Sequence, residues 1–381
     1  MKVLVAGDFA PSGRVSTLIR EKRFAEVFPK DICDAIKSAD FSFVNFESPI
    51  AEASYVPISK CGPNLCCSEE FAEAIKYAGF TGVTMANNHI LDYGADGLLK
   101  SINCCKEQGL DVLGAGRNIK EASNVLYLDS EGQRLAVINC CEHEFSIADD
   151  FHAGANPLNA VRQYYAIQQA RKQSTYVLVI VHGGHEQYNL PSPRMQEIYR
   201  FFIDVGADAV LNHHQHCYSG YELYHNKPIF YGLGNFCFDE SIFRNSNWNE
   251  GYLVILEFEH GVVGYKLVPY TQCNEYPHVE LVADRASFDK QIEEINSIIN
   301  DSVRLEDASK RYYSTCVNYF DSILQPYDNR VLKKLYRMRL LPSLISKKKY
   351  LSILNRIDCE SHRDKFIFAI KQLIEKRNSS R

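Results

Sequence analysis

The chain has 381 residues, 46% apolar and 23% charged, with a net charge of −5, a balance that excludes disordered and fibrous proteins. At ~150 residues per domain, the length suggests two domains, or one large α/β domain with an extension. The net charge hides an asymmetry: residues 330–381 hold 15 Lys and Arg against 4 Asp and Glu (+11), and residues 1–329 hold 27 against 43 (−16).

The N-terminus, Met1-Lys2-Val3-Leu4-Val5-Ala6-Gly7-Asp8, reads as a buried first strand. It lacks the apolar core and cleavage site of a signal peptide, and no apolar run reaches the ~18 residues of a membrane span, so the expected location is cytoplasmic. Strand-like runs follow at Phe41–Phe46, Gly82–Ala86, Val112–Leu113 and Tyr176–Val181. Helical patterns lie between them at Asp31–Ser38, Ser68–Tyr77, Ala95–Gln108, Pro157–Gln173 and Pro191–Val205, with Asn156 as the expected cap of the fourth. This alternation argues for α/β layers. Asn124–Leu128 with Leu135–Cys141, and Tyr252–Glu259 with Val262–Pro269, read as hairpins. Further strands are expected at Ser219–Tyr224 and Ile229–Tyr231. Parallel units mixed with hairpins suggest two packed sheets rather than one Rossmann sheet. Beyond about residue 285 only helical spacing continues, as in Phe288, Ile292, Ile295, Ile298 and Ile299, so a boundary is expected between 271 and 286.

The 13 cysteines include three adjacent pairs but no zinc-ribbon spacing, and read as reduced, mostly buried thiols. Gly114-Ala115-Gly116 reads as a tight turn, because Ile119 stands where a dinucleotide loop needs glycine.

Chemistry concentrates at strand ends. Six of the 12 histidines lie between 182 and 225. His182 ends one strand, and His213, His214 and His216 end another. In an extended segment His214 and His216 point the same way, as do Asn45 and Glu47. Asp8 ends the first strand, and Asn87-Asn88-His89 ends the third, with Asp92 close behind. Five consecutive strand ends thus carry Asp, Glu, Asn-His, His and His-x-His, the inventory of a two-metal hydrolytic site.

In this order the set resembles the calcineurin-like metallophosphoesterase superfamily, and within it the capsule-synthesis CapA (poly-γ-glutamate synthesis) family. The matching segments are Gly7-Asp8 with Gly13-Arg14, Asn45-Phe46-Glu47-Ser48-Pro49, Ala86-Asn87-Asn88-His89 with Asp92 and Gly94, Gly114 to Asn118, His182-x-Gly-x-Glu186, Gly206 to His216, and Tyr231-Gly-Leu-Gly-Asn-Phe236. They span about residues 1–270. The resemblance implies an α/β sandwich of two mixed sheets flanked by helices, over residues 1–275, with a basic helical extension over 286–381. It implies two divalent ions, of Mn, Fe or Zn type, bridged by Glu47. Asp8 and His216 would hold one ion; Asn88, His182 and His214 would hold the other. His89 would act as general acid or transition-state stabiliser, with Asp92 and Arg14 catalytic beside it. Asn45, Glu186 and Asn235 would contact substrate or support the ligands.

The chain departs from the family pattern at Ala10, where the superfamily usually has His. It also departs at Gly183, where the family usually has Trp, and in reading Asn212-His213-His214-Gln215-His216 rather than Gly-His-His-Pro-His. The implied function is hydrolysis of a phosphoester or related bond in capsule or extracellular-polymer synthesis. The alternatives are a non-catalytic metal-stabilised subunit of a polymer synthase and a cytosolic metal-dependent phosphodiesterase. The basic tail, with Leu332, Leu335, Leu340, Leu341, Leu344 and Ile345 among its charges, suits the protein's own acidic body, an anionic membrane face or a membrane-bound synthase. Nucleic acid is the least favoured partner.

Overall fold

A computed structural model describes residues 1–327 and 329–378. In chain order its strands begin with β1 (Lys2–Phe9), β2 (Phe41–Phe46), β3 (Gly82–Thr84), β4 (Asp111–Leu113), β5 (Ala115–Gly116), β6 (Leu126–Ser130), β7 (Gln133–Cys141) and β8 (Gly154–Ala155). They continue with β9 (Tyr176–His182), β10 (Ala209–His213), β11 (Tyr221–Tyr224), β12 (Lys227–Phe230), β13 (Asn235–Cys237), β14 (Glu250–Glu259), β15 (Val262–Gln272) and β16 (Val279–Leu281).

Two mixed sheets carry the fold. The first has the order β16-β15-β14-β1-β2-β3-β4, parallel from β1 to β4 and antiparallel from β14 to β16, with β13 also pairing with β1. The second has the order β11-β12-β10-β9-β7-β6. Its inner strands are parallel, and each edge closes with an antiparallel hairpin. Parallel neighbours need crossovers, and the helices Lys30–Lys37, Glu70–Ala78, Gly94–Glu107, Ala160–Arg171 and Pro193–Asp204 supply them. Ile36, Ile75 and Leu98 from these helices join Leu4, Val44 and Val83 of the first sheet in one apolar cluster. Each such side chain contributes about 1.5–3 kcal/mol when fully buried. The sheets meet through Tyr176 against Phe258, ring centroids 5.0 Å apart, and Phe230 against Tyr265, 5.5 Å apart.

The expected strands and crossover helices form, with local differences. The helix after β8 starts three residues later than its cap signal suggested. Asn159 caps it, accepting from the N–H groups of Val161 and Arg162, because Asn156 is buried and donates to the Asn139 carbonyl. β11 and β12 pair as a further hairpin, turning through His225 and Asn226 at φ 51° and 60°, the signature of a type I′ turn. β1 extends through Asp8, whose neighbours are Asn45 on β2 and Asn235 on β13. Gly7 makes this approach possible, since a Cβ there would lie 1.8 Å from the Gly234 carbonyl oxygen.

The chain forms two compact units, Met1–Glu306 and Asp307–Arg381. The first therefore runs past the boundary expected between 271 and 286. The helix Ala286–Ile299 buries Phe288, Ile292, Ile295 and Ile299, and its Asn296 Oδ1 accepts from the Tyr221 N–H at 2.7 Å. In the second unit the described residues include the helices Arg330–Arg337, Lys347–Asp358 and Glu360–Asn378. Among the described residues no helix is long and apolar enough to cross a membrane. All thirteen cysteines are free thiols, and nine of them are buried.

Candidate metal centre

The C-terminal ends of parallel strands from both sheets meet at one place, as open α/β sheets favour. Asp8 arrives on β1, Glu47 directly after β2, Asn88 and His89 after β3, His182 on β9, and His214 and His216 after β10. Ligand-type atoms of Glu47, His182 and His214 all lie within 4.8 Å of one another, as do those of Asp8, Glu47 and His216. Glu47 is common to both groups. Its Oε1 is 3.5 Å from His182 Nε2 and 3.9 Å from His216 Nε2. Asn88 Oδ1 and His214 Nδ1 each lie 3.0 Å from His182 Nε2.

The convergence of His214 and His216 does not come from strand alternation. β10 ends at His213, and the two histidines that follow have φ of 92° and 55°. Left-handed backbone is costly for residues with a Cβ, and such strain collects at functional sites. Supporting bonds hold it: the His214 N–H donates to Asp8 Oδ2 at 3.1 Å, and His216 Nδ1 donates to Asn235 Oδ1 at 2.9 Å. The second contact leaves His216 Nε2 for the centre. Asn45 Nδ2 donates to Asp8 Oδ1 at 2.8 Å and lies 3.2 Å from His182 Nδ1.

The electrostatics are those of acceptors facing acceptors. Both Glu47 oxygens are buried without a hydrogen bond among the described residues. Burial raises its pKa well above the ordinary carboxylate range, and the charges of Asp8, Glu186 and Asp92 raise it further. Burial also raises Asp8. It lowers His182 far below the usual imidazole range and brings His214 down to about 3, so both rings stay neutral. A buried polar atom without a partner costs about 1–3 kcal/mol, and more for a charged group. Neutral imidazoles and carboxylates converging on one proton-poor centre are what divalent cations take as ligands, so the residues fit the ions.

His89 Nδ1 lies 2.7 Å from Asp92 Oδ2, so Asp92 acts through the ring. Glu186 is exposed, near enough to act electrostatically on Glu47. Arg14, expected beside the reacting atoms, directs its donors elsewhere. Nε and Nη2 clasp the Asp239 carboxylate at 2.9 Å each, and the carbonyls of Cys273, Asn274 and Glu275 accept the rest. Its geometry is that of a strut between the start of the first helix and the loop after β15. Ala10 is buried with Phe238 and Trp248 in a small apolar cluster. Trp248, the chain's one tryptophan, lies 4.8 Å from His216, ring to ring.

Two contributors are not among the site residues expected from the sequence. Asn212 is buried and donates to the carbonyls of Gly183, His213 and Tyr231, while accepting from Tyr199 Oη. Lys60 comes from an irregular loop and contacts Asp92 and His89. In sequence it looks like any solvated lysine.

A family model described as bacterial capsule synthesis protein PGA_cap matches residues 2–240. The chain is 31% identical over 262 residues to the capsule biosynthesis protein CapA of Bacillus anthracis, covering 65% of this chain and 62% of that protein. It is 28% identical over 231 residues to the PGA biosynthesis protein CapA of Bacillus subtilis (strain 168), covering 60% and 61%. The chain thus matches about three fifths of the length of these curated relatives. Among solved structures, a phosphatase from Mycoplasma pneumoniae aligns at 14% identity with a TM-score of 0.47, over 72% of this chain and 95% of that one. A 5'-nucleotidase precursor from Thermus thermophilus aligns at 12% identity with a TM-score of 0.40, over 77% and 57%. Likeness at this level carries no argument about activity.

Proposed function

The chain belongs to the bacterial capsule synthesis PGA_cap family, and from that premise we propose that it is a divalent-metal-dependent hydrolase of capsule or extracellular-polymer synthesis. Its substrate is a phosphoester or related bond in a phosphorylated or polymer-linked molecule, of poly-γ-glutamate or polysaccharide type. One observation carries this reading: Glu47 is buried and common to two groups of ligand atoms, with neither of its oxygens hydrogen-bonded among the described residues. A carboxylate in that position suits a bridge between two cations. Asp8 and His216 would complete one site; Asn88, His182 and His214 would complete the other. Such ions, when bound, lower the pKa of water and offset charge on the transferred group. His89, with Nδ1 engaged by Asp92, keeps Nε2 for protonating the leaving oxygen.

The test is metal analysis followed by hydrolysis of p-nitrophenyl phosphate with Mn²⁺ supplied. His89→Ala should keep its metal and lose turnover of phenyl phosphate, whose leaving oxygen needs a proton, by on the order of 100-fold, whereas His182→Ala should lose metal. The apolar surroundings of Ala10 favour a second reading, in which the site is structural and the protein a metal-stabilised subunit of a polymer synthase. Bound metal with no hydrolysis of any phosphoester or amide would support that reading and remove the first. We assign the basic tail to an anionic membrane face or a membrane-bound synthase, which would place the protein at the inner surface of the membrane. Exposed Leu351, Leu354, Phe368 and Leu373 beside Lys347–Lys349, Arg356 and Lys371 support this.

A further inference from the structure

Lys60 has no task in the mechanism above. Its side chain is only 2% exposed. A buried ammonium requires partners, and this one is paired with Asp92 Oδ1 and lies 5.0 Å from the centroid of the Phe145 ring, while His89 Nδ1, 3.1 Å away, is a second group turned toward the same carboxylate. The cation is not needed merely to hold its loop. The Leu65 N–H donates to Asp92 Oδ2 at 2.7 Å, and the Ile58 N–H donates to the Asp92 carbonyl at 2.8 Å. Asn64 Nδ2 donates to the carbonyls of Ile58 and Asp92 at 2.8 and 3.3 Å. Bonds from uncharged donors already wrap residues 58–65 around Asp92.

The protons assign the charge its role. An ammonium offers only donors. Asp92 Oδ2 is 2.7 Å from His89 Nδ1, too close for two lone pairs, so Nδ1 carries the proton and donates it. Lys60 then occupies Oδ1, and the carboxylate cannot turn its other oxygen to the ring. His89 is left to exchange its proton at Nε2.

We propose that Lys60 is a positioning residue for His89, acting through Asp92: its ammonium on Oδ1 fixes the ring orientation and keeps the Nδ1 proton on Asp92 Oδ2, so that His89 takes up and gives its proton at Nε2. This rests on the hydrolase reading. In that reaction water adds to phosphorus and the bond to the leaving oxygen breaks with its electron pair on oxygen. The Nε2 proton of the His89 imidazolium goes to that oxygen, leaving the neutral ring protonated at Nδ1.

Two readouts test the proposal in full-length protein. The first compares phenyl phosphate, whose leaving group needs a proton, with p-nitrophenyl phosphate, whose leaving group departs as the anion. Lys60→Met should lower kcat on phenyl phosphate by on the order of 100-fold, and on p-nitrophenyl phosphate by less than about 5-fold, with KM and bound metal unchanged. Lys60→Arg, which keeps the charge, should recover most of the loss. Equal losses on both esters would mark a merely structural lysine and overturn the proposal. The second readout needs no activity. In chelator-treated protein with ring-¹⁵N histidine, the His89 signal, assigned by its absence in His89→Ala, should show the Nδ1–H tautomer in wild type and Lys60→Arg and a mixture in Lys60→Met. The same tautomer in all three would overturn the proposal. Should the wild type cleave neither ester, the hydrolase reading falls and the tautomer still decides the place of Lys60.

Discussion

Glu47 and His213 are both enclosed and both titratable, and their surroundings give them opposite roles. Among the described residues Glu47 has carboxylate neighbours that repel its charge and no hydrogen-bond donor, an arrangement that suits a ligand better than the fold. His213 donates from Nε2 to the Ala6 carbonyl at 3.0 Å, joining β10 of one sheet to β1 of the other, and burial lowers its pKa to about 4. The sign of its pH effect follows. The unfolded chain takes up the proton near pH 6.5, and the folded chain only near 4. Below 6.5 the unfolded state therefore binds more protons and stability falls, by an amount approaching about 3 kcal/mol at pH 4. Burial lowers His182, His214 and His216 too, so they act in the same direction. Raised Asp8 and Glu47 act oppositely, destabilising the metal-free protein as pH rises from the ordinary carboxylate range toward their folded values. In chelator-treated protein, His213→Gln should lose less stability than wild type between pH 6.5 and 4.5 when unfolded in urea. Parallel curves would remove the argument.

At the scale of elements, what was legible followed chain-local patterning. Apolar runs mark where strands end, and a polar group of ligand type stands at or just beyond each run, as Asp8, Glu47, Asn88 and His182 do. His214 and His216 reach the same centre through a left-handed turn that no alternation rule describes, so they converge for a different geometric reason from the one strand alternation suggests. The turn depends on Asn212, which ties the ends of β9 and β10 to Tyr231, beyond the end of β12, and takes the Tyr199 hydroxyl. Asn212→Ala should cost about 2–4 kcal/mol in urea unfolding, because one hydroxyl and three carbonyls lose a buried partner. The helix between β8 and β9 teaches a related lesson. Asn156 has the sequence of a cap, but tertiary contacts took its amide and Asn159 caps instead.

At the scale of the molecule, the near-neutral total charge is shared by two unlike units. The acidic part contains the candidate metal centre, where cations would offset Asp8 and Glu47. The basic part is helical, with Leu351, Leu354, Ile357, Ile367, Phe368 and Leu373 exposed among its charges. Charge and exposed apolar surface together suit an anionic bilayer, with roughly 1 kcal/mol for each basic residue near its surface. Full-length protein should float with phosphatidylglycerol-containing vesicles and release in high salt, and deletion of 330–381 should abolish flotation. Undiminished flotation of the deletion protein would put the membrane contact elsewhere.

The sequence by itself determined the α/β class, most of the strands, the order of ligand types along them and the split of charge. Each is written in residues near one another in the chain, through periodicity, turn chemistry and strand-end position. Only the tertiary structure decided which partner each polar side chain takes. Arg14 pairs with Asp239, 225 positions away, and so supports the fold rather than the reacting atoms. Lys60 reaches across to Asp92 and so stands at the centre rather than in solvent. A charged group's task depends on which opposite charge shares its burial, and that is fixed only when distant segments pack.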